Sequence, residues 1–159
     1  MDDTGERGDP RAAVDAAVAR LSAAGAHTEV LAERRAGRRI GPFMRRETVV
    51  PIGRVWRLGV LLLDAAGGLR RTGTVIQAQP LRFDNHQSDR AAARRELREA
   101  ILKARIDPGE TVNLDAAPVA PDEVATVSWN GSGDPASMVP LAAYLRDRVD
   151  LLASPPAGA

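Results

Sequence analysis

The stretch VWRLGVLLLDAAGGLRRTGTVIQAQ, residues 55–79, carries the strongest fold signal of the chain. The apolar run from Val60 to Leu63 is unbroken, which is typical of a strand that is covered on both faces and lies inside its sheet. DAAGG at 64–68 is a turn signal, and strand character returns after it until Pro80. The stretch therefore predicts an antiparallel hairpin whose first strand is central in its sheet.

Further strands are predicted on both sides of this hairpin. ETVV at 47–50 is rich in β-branched residues, and a break is expected at 51–53, where proline and glycine precede the hairpin. Downstream, TVNL at 111–114 and EVATVSW at 123–129 have strand character, with 116–121 as their connection. These segments supply the rest of the predicted sheet.

Three segments have the apolar spacing and end signals of main helices. In the first, Asp9 is a predicted N-cap, with Pro10 at the first helical position. The second covers 89–106 and follows the candidate cap Ser88, and the third begins at Pro140. The expected apolar stripes are Val14, Val18 and Leu21 in the first helix, Ala93, Leu97, Ile101 and Ala104 in the second, and Leu141, Leu145, Val149 and Leu152 in the third.

A shorter helix is predicted directly after the first one. Thr28 is its expected cap and Glu29 lies in its first turn. Arg34 and Arg35 would then occupy its last turn, with Gly37 just beyond. This order of charges suits the dipole of a helix.

Strands and helices in this order favour one α+β domain. The expected architecture is a mostly antiparallel sheet of about four or five strands packed with three main helices. A chain of 159 residues has the length of a single domain, which we expect to cover 9–153. Residues 1–8 and 154–159 are expected to be disordered tails.

Composition excludes several classes of chemistry. The chain has no cysteine, which rules out thiol catalysis, disulfides and cysteine-ligated metals. His27 and His86 do not form a ligand pair, and the carboxylates follow no calcium-loop pattern, so neither a metal nor another cofactor is expected. The N-terminus lacks an apolar segment and the aliphatic run at 60–63 is short, so we expect no signal peptide, no membrane span and a cytoplasmic location.

The stretch DNHQSD, residues 84–89, contains the residue types of a hydrolase triad in Asp84, His86 and Ser88. In an extended segment these alternate positions lie about 7 Å apart. Members of a triad must approach to about 2.6–3.2 Å. The favoured interpretation is a loop in which Ser88 caps the next helix, and the alternative is a catalytic or ligand-binding role for His86.

The stretch GSGDPA, residues 131–136, formally fits the glycine pattern of a dinucleotide-binding turn. Pro135 interrupts that turn, and the next helix begins only at Pro140. We therefore interpret it as a flexible turn. Trp129 stands just before it, where its ring could form a contact surface, although packing in the core is the favoured role.

Arginine is concentrated in RRAGRRIGPFMRR, residues 34–46, which has six arginines and no acid. Between Arg34 and Arg57 there are eight arginines against Glu47 alone, a charge that could neutralise phosphates. The whole chain has 21 arginines and a single lysine yet a net charge of +1, so compositional bias explains much of this run. A solvated surface or protein-contact patch is favoured over nucleic-acid binding, and the candidate binding residues are Arg38, Arg39, Arg45 and Arg46.

The segments WRLGVLLL at 56–63, SWNGSG at 128–133 and VPLAAYL at 139–145 resemble a group of short, uncharacterised bacterial proteins, some of which are labelled glutaminase. The resemblance covers roughly 10–152. It implies hydrolysis of the glutamine side-chain amide to glutamate and ammonia. The resemblance itself assigns no catalytic residue, and the candidate participants that the chain offers for such a reaction are Ser128, Ser132 and His86.

The residues themselves limit what that implied activity could use. A serine glutaminase depends on a Ser-x-x-Lys pair, and here Ala100 stands three residues before Lys103, the single lysine. The amidotransferase type needs a cysteine, which the chain lacks.

The sequence is therefore compatible with three functions. The first is a non-catalytic domain that binds a protein partner or a small ligand. The alternatives are an amide hydrolase of the glutaminase type, with His86, Ser88 and Ser128 as the candidate catalytic residues, and nucleic-acid binding through the segment from Arg34 to Arg57.

Overall fold

A computed structural model describes residues 9–37, 39–44, 46–79 and 89–154, with only the backbone described at 39, 40, 43, 44 and 89–91. The three predicted main helices are confirmed, as α1 Pro10–Ala23, α2 Asp89–Lys103 and α3 Leu141–Ala153. The Asp9 carboxylate accepts the backbone N–H of Arg11 at 2.9 Å, so the predicted N-cap is confirmed as well. Within the described ranges, no helix has both the length and the apolar character that a bilayer crossing requires.

The strands of the described chain form one seven-stranded sheet and two short pairs. In chain order they are β1 Glu29–Arg35, β2 Arg39–Ile40, β3 Phe43–Met44, β4 Thr48–Leu58, β5 Leu61–Asp64, β6 Leu69–Arg71, β7 Thr74–Gln77, β8 Thr111–Leu114, β9 Ala117–Val119, β10 Thr126–Ser128 and β11 Met138–Pro140. The order in the large sheet is β7-β8-β1-β4-β5-β6-β9, and the separate pairs are β10-β11 and β2-β3. The α+β class is confirmed. The expected four or five strands are wrong, because β1 and the very short β6 and β9 extend the sheet.

The helix predicted after Thr28 is wrong, because this segment is strand β1. Its residues 30–32 are all buried, and Val30 pairs with Val112 of β8 in a parallel ladder. Pairing with a distant strand thus overrides a pattern of charges that suits a helix end. Arg34, expected in the last helical turn, lies in this strand.

The break predicted at 51–53 is also wrong, since β4 runs without interruption over 11 residues. Residues 51–54 are exposed in this strand. Proline and glycine are therefore tolerated there, because no core packing depends on their side chains.

The predicted hairpin is confirmed only in part. Its first strand is divided at residues 59–60 into β4 and β5, whereas its turn and the start of its second strand form the β5-β6 hairpin. β5 and β6 pair antiparallel through Leu62 and Arg70, and Leu61, Leu62 and Leu63 are fully buried. Successive side chains of a strand point to opposite faces, so both faces of β5 are covered as predicted. The second half is different, because β7 pairs with β8 and not with β5.

The described chain divides into two compact units. The first takes the described parts of Met1–Thr28, Arg54–Thr72 and Ala116–Ala159. Its core is formed by buried side chains of α1, α3 and the hairpin, among them Leu21, Leu61 and Leu145. Trp56 is 5% exposed in this core and donates its ring N–H to the Ala26 carbonyl at 3.2 Å, so its polar group is satisfied where its ring is buried.

The turn between β4 and β5 is held by the hydroxyl of Tyr144 on α3. This hydroxyl donates to the Leu58 carbonyl at 2.7 Å and accepts the Val60 N–H at 2.9 Å. Gly59 lies between these two residues with φ +65°, and a Cβ there would stand 2.5 Å from the same hydroxyl oxygen. Only glycine fits this turn without displacing Tyr144.

The second unit takes Glu29–Gly53 and Gly73–Asp115 in their described parts. Its core joins the strands to the C-terminal half of α2, where Ile101 is 1% exposed. Of the stripe predicted for this helix, Leu97 and Ala104 are partly buried against that core, whereas Ala93 is exposed. The N-terminal half of α2 is therefore less closely packed than its C-terminal half.

Candidate binding site

Several candidate residues from the sequence lie outside the described ranges. These are His86 and Ser88 of the triad-like stretch, and Arg38 and Arg45 of the arginine segment. Arg39 is described only by its backbone in β2. Their candidate roles stay predictions.

Ser128, the described candidate nucleophile, belongs to a network of hydroxyl and amide groups in the loop between β10 and β11. Its hydroxyl lies 2.9 Å from the Asn130 side-chain oxygen and 2.7 Å from the Ser137 hydroxyl, and it accepts the Gly133 N–H at 3.3 Å. Ser132 donates to the same Asn130 oxygen at 2.7 Å. These hydrogen bonds connect residues 128–137, and none of the partners described for Ser128 is of a type that acts as a general base.

Trp129 follows β10 and is 51% exposed. Its backbone N–H donates to the Ser137 carbonyl at 3.1 Å, which fixes the main chain at the start of the loop. The favoured prediction that this tryptophan packs in the core is wrong.

Much of the charge of the described arginine segment is compensated or engaged. Arg34 pairs with Asp115 at 3.0 Å and with Glu47 at 3.6 Å. Arg46 is 77% exposed and lies 3.7 Å from a carboxylate oxygen of Glu99, a pair of small energetic weight. Arg54 donates to the hydroxyl and the carbonyl of Thr28, each at 2.7 Å. This segment therefore offers less free positive charge than its sequence suggests.

A cleft of about 660 Å³ lies between α2 and β7 in the second unit. This volume is within the range of ligand sites, which is roughly 300–1,000 Å³. Its described lining contains no acidic residue. The lining residues are Arg34, Thr74, Val75, Ile76, Gln77, Gln79, Ala93, Arg94, Leu97 and Arg98.

Arg94 and Arg98 supply the positive charge of this cleft. They stand four residues apart on α2, which places them on one face of the helix. Arg94 is exposed and Arg98 is partly buried, and neither has an acidic partner within the described part of the chain. Reasoning from the sequence missed both, because in an arginine-rich helix they have no distinguishing motif.

A smaller hollow of about 140 Å³ shares Leu97 with this cleft. Its lining has three basic and three acidic residues, namely Arg34, Arg46, Lys103, Glu47, Glu96 and Glu99. Acids and bases offset each other here, so this hollow has no net preference for an anion. The cleft beside β7 is the better candidate for a binding site.

Strand β7 lines that cleft, and it is an edge strand because it stands at one end of the described strand order. Ala78 bonds toward β8, accepting the Gly109 N–H at 2.7 Å and donating its own N–H to Glu110 at 2.8 Å. Neighbouring residues of a strand direct their backbone groups to opposite sides. Val75 and Gln77 therefore direct their N–H and C=O groups away from β8.

Comparisons of the chain with known protein families, with curated proteins and with solved structures gave no match. Function therefore has to follow from the geometry of the chain itself.

Proposed function

We propose that the chain is a non-catalytic binding domain that holds an anionic group of a protein partner or small ligand in the cleft between α2 and β7. The observation that carries this proposal is the pair of arginines, Arg94 and Arg98, which line the cleft without an acidic partner in the described chain.

Two like charges four residues apart on a helix cost about 0.2–0.5 kcal/mol. The free protein bears this cost at Arg94 and Arg98, whereas Arg34 in the same cleft is already paired with Asp115 and Glu47. A bound carboxylate or phosphate would remove the repulsion. Guanidinium groups suit such ligands because their fork of N–H donors can bind two oxygens at once.

The amide-hydrolase alternative has no support from the contacts of Ser128, since its hydroxyl partners are Asn130, Ser137 and Gly133. Its direct test is incubation of the purified protein with glutamine and measurement of the ammonia released. We expect no turnover above the uncatalysed rate. Turnover that is abolished by His86→Ala, in a variant that is still folded, would contradict the non-catalytic proposal.

The location of the site is tested by titrating poly-L-glutamate into isotopically labelled protein and following backbone amide shifts. We expect the largest shifts at residues 74–79 and 93–98, and their loss at high salt, because the attraction is between exposed charges. Shifts confined to the loop at 129–134, or spread evenly over all basic residues, would contradict the proposed site.

A further inference from the structure

We propose that the ligand of this cleft is an extended acidic segment of a partner protein, which adds to β7 as a new strand and places its carboxylates against Arg94 and Arg98. This inference rests on the proposed function of the cleft and names the chemistry of its ligand.

The edge of the sheet at β7 is suited to strand addition. β7 is the end strand in the described order, and the outward backbone groups of Val75 and Gln77 can form a ladder with an incoming strand. Val75 is also 43% exposed, which is high for an apolar side chain. An added strand would cover part of this exposed surface.

The position of α2 beside the edge determines which side chains the added strand needs. Ile76 and Leu97 pack against the same core, so this face of β7 is the face turned toward α2. Alternate residues of an added strand would point to that face, at intervals of about 7 Å. Arg94 and Arg98 are four residues apart, which is roughly 6 Å along the helix axis and close to that interval. An acid at every second position therefore fits the two arginines.

The remaining positions of the added strand would lie on the face of Val75, where apolar or β-branched side chains fit best. The preferred segment thus alternates acidic and apolar residues. A single-stranded nucleic acid could also neutralise the arginines, but it has no peptide N–H and C=O groups that could form a β-ladder with β7. The described lining also lacks an aromatic ring on which bases could stack.

The probe for this inference is a capped eight-residue peptide of alternating glutamate and valine, whose affinity is measured by calorimetry. We expect that Arg94→Glu with Arg98→Glu weakens binding at least about tenfold. The matched control is Arg146→Glu on α3, another exposed arginine, which should leave the affinity unchanged.

Strand addition itself is tested with two N-methylated forms of the peptide, one methylated at every glutamate and the other at every valine. For a given strand direction only one of the two sets of amides faces β7, so the form methylated on that set should bind more weakly than the other. The amides of Val75 and Gln77 should exchange with solvent at least about tenfold more slowly in the complex. Val75→Pro should also weaken binding, because it removes an outward N–H without breaking the ladder to β8.

The outcomes separate this inference from the function on which it rests. If both methylated peptides bind equally and the Val75 and Gln77 amides stay unprotected, strand addition is wrong, while an anion site at Arg94 and Arg98 stands. If poly-L-glutamate shifts the cleft amides but the peptide does not bind, the inference is again wrong. If neither probe binds, both proposals fail. Tighter binding of oligo(dT) than of the peptide, at the same arginines, would replace the acidic segment by nucleic acid.

Discussion

At the scale of single residues, the fold depends on contacts between side chains and backbone groups that are far apart in sequence. Tyr144 bonds to Leu58 and Val60, and Asn113 donates to Glu29 at 2.7 Å and to the Val30 carbonyl at 3.3 Å. The burial of residues 61–63 can be predicted from the sequence, because an unbroken apolar run is itself the signal for a covered strand. The sequence does not predict these polar contacts, because nothing local distinguishes such a tyrosine or asparagine from an exposed one.

Gly59→Ala should lower the free energy of unfolding by about 3 kcal/mol. A side chain at its positive φ costs about 1–2 kcal/mol, and the new Cβ would displace the Tyr144 hydroxyl from both of its hydrogen bonds. Chemical denaturation measures the change.

Two other glycines separate these causes. Gly25→Ala adds a side chain at φ +58° with no heavy atom within 4 Å, so it should cost only about 1–2 kcal/mol. Gly53 has neither feature, and Gly53→Ala should change stability by less than about 1 kcal/mol. Equal losses for Gly59→Ala and Gly25→Ala would show that the collision with Tyr144 is unimportant.

Asn113→Asp should destabilise the protein by about 3 kcal/mol at neutral pH. The Asn113 side chain is fully buried, and the new carboxylate would face that of Glu29. Protonation of either carboxyl relieves the repulsion, so the folded variant binds a proton more readily than the unfolded one. Its deficit relative to wild type should therefore shrink as the pH falls, which denaturation curves at several pH values measure.

The control is the double variant Asn113→Asp with Glu29→Gln. It restores an amide opposite a carboxylate with the two positions exchanged, so it should regain a large part of the lost stability at neutral pH. No recovery, together with a deficit that is independent of pH, would contradict the role given to this pair.

At the scale of elements, local signals identify the helices well and the strand partners poorly. The apolar stripes of α1 and α3 follow from spacing, and the start of α1 follows from its Asp9 cap, which are properties of neighbouring residues. The local pattern of β1 predicts a helix, whereas the pairing with β8 that makes it a strand involves residues about eighty positions away. The candidate site could not be predicted from the sequence for the same reason. A cleft between α2 and β7 depends on the tertiary arrangement of these two elements.

Arg94→Glu should stabilise the free protein by about 0.5 kcal/mol. The variant replaces a repulsion on α2 by an attraction to Arg98, with the acid on the N-terminal side, which is the favourable orientation. Thermal unfolding at low salt measures it. A loss of stability would show that Arg94 stabilises the fold. It would contradict the interpretation that Arg94 serves ligand binding at a cost to stability.

At the scale of the whole molecule, the sequence indicates the α+β class but not the division into two compact units. The first unit is assembled from three separate stretches of chain and the second from two, so no shift in composition along the sequence marks a boundary. The apparent basic character of the arginine segment is also local, because the whole chain has a net charge of +1.

This charge balance leads us to expect weak binding of nucleic acid. Anisotropy of a labelled DNA or RNA oligonucleotide across a salt series should show low affinity at physiological salt, since Arg34 is paired with two acids. High affinity with a steep salt dependence, reduced when Arg38, Arg39, Arg45 and Arg46 are replaced by alanine, would instead support a nucleic-acid surface.

The most direct test of the proposed site is the dissociation constant of poly-L-glutamate for wild type and for Arg94→Glu with Arg98→Glu, measured by calorimetry at low salt. We expect the double variant to bind at least about tenfold more weakly although it is folded, and Arg146→Glu to bind like wild type. Equal affinity of the double variant and wild type would contradict a binding site between α2 and β7.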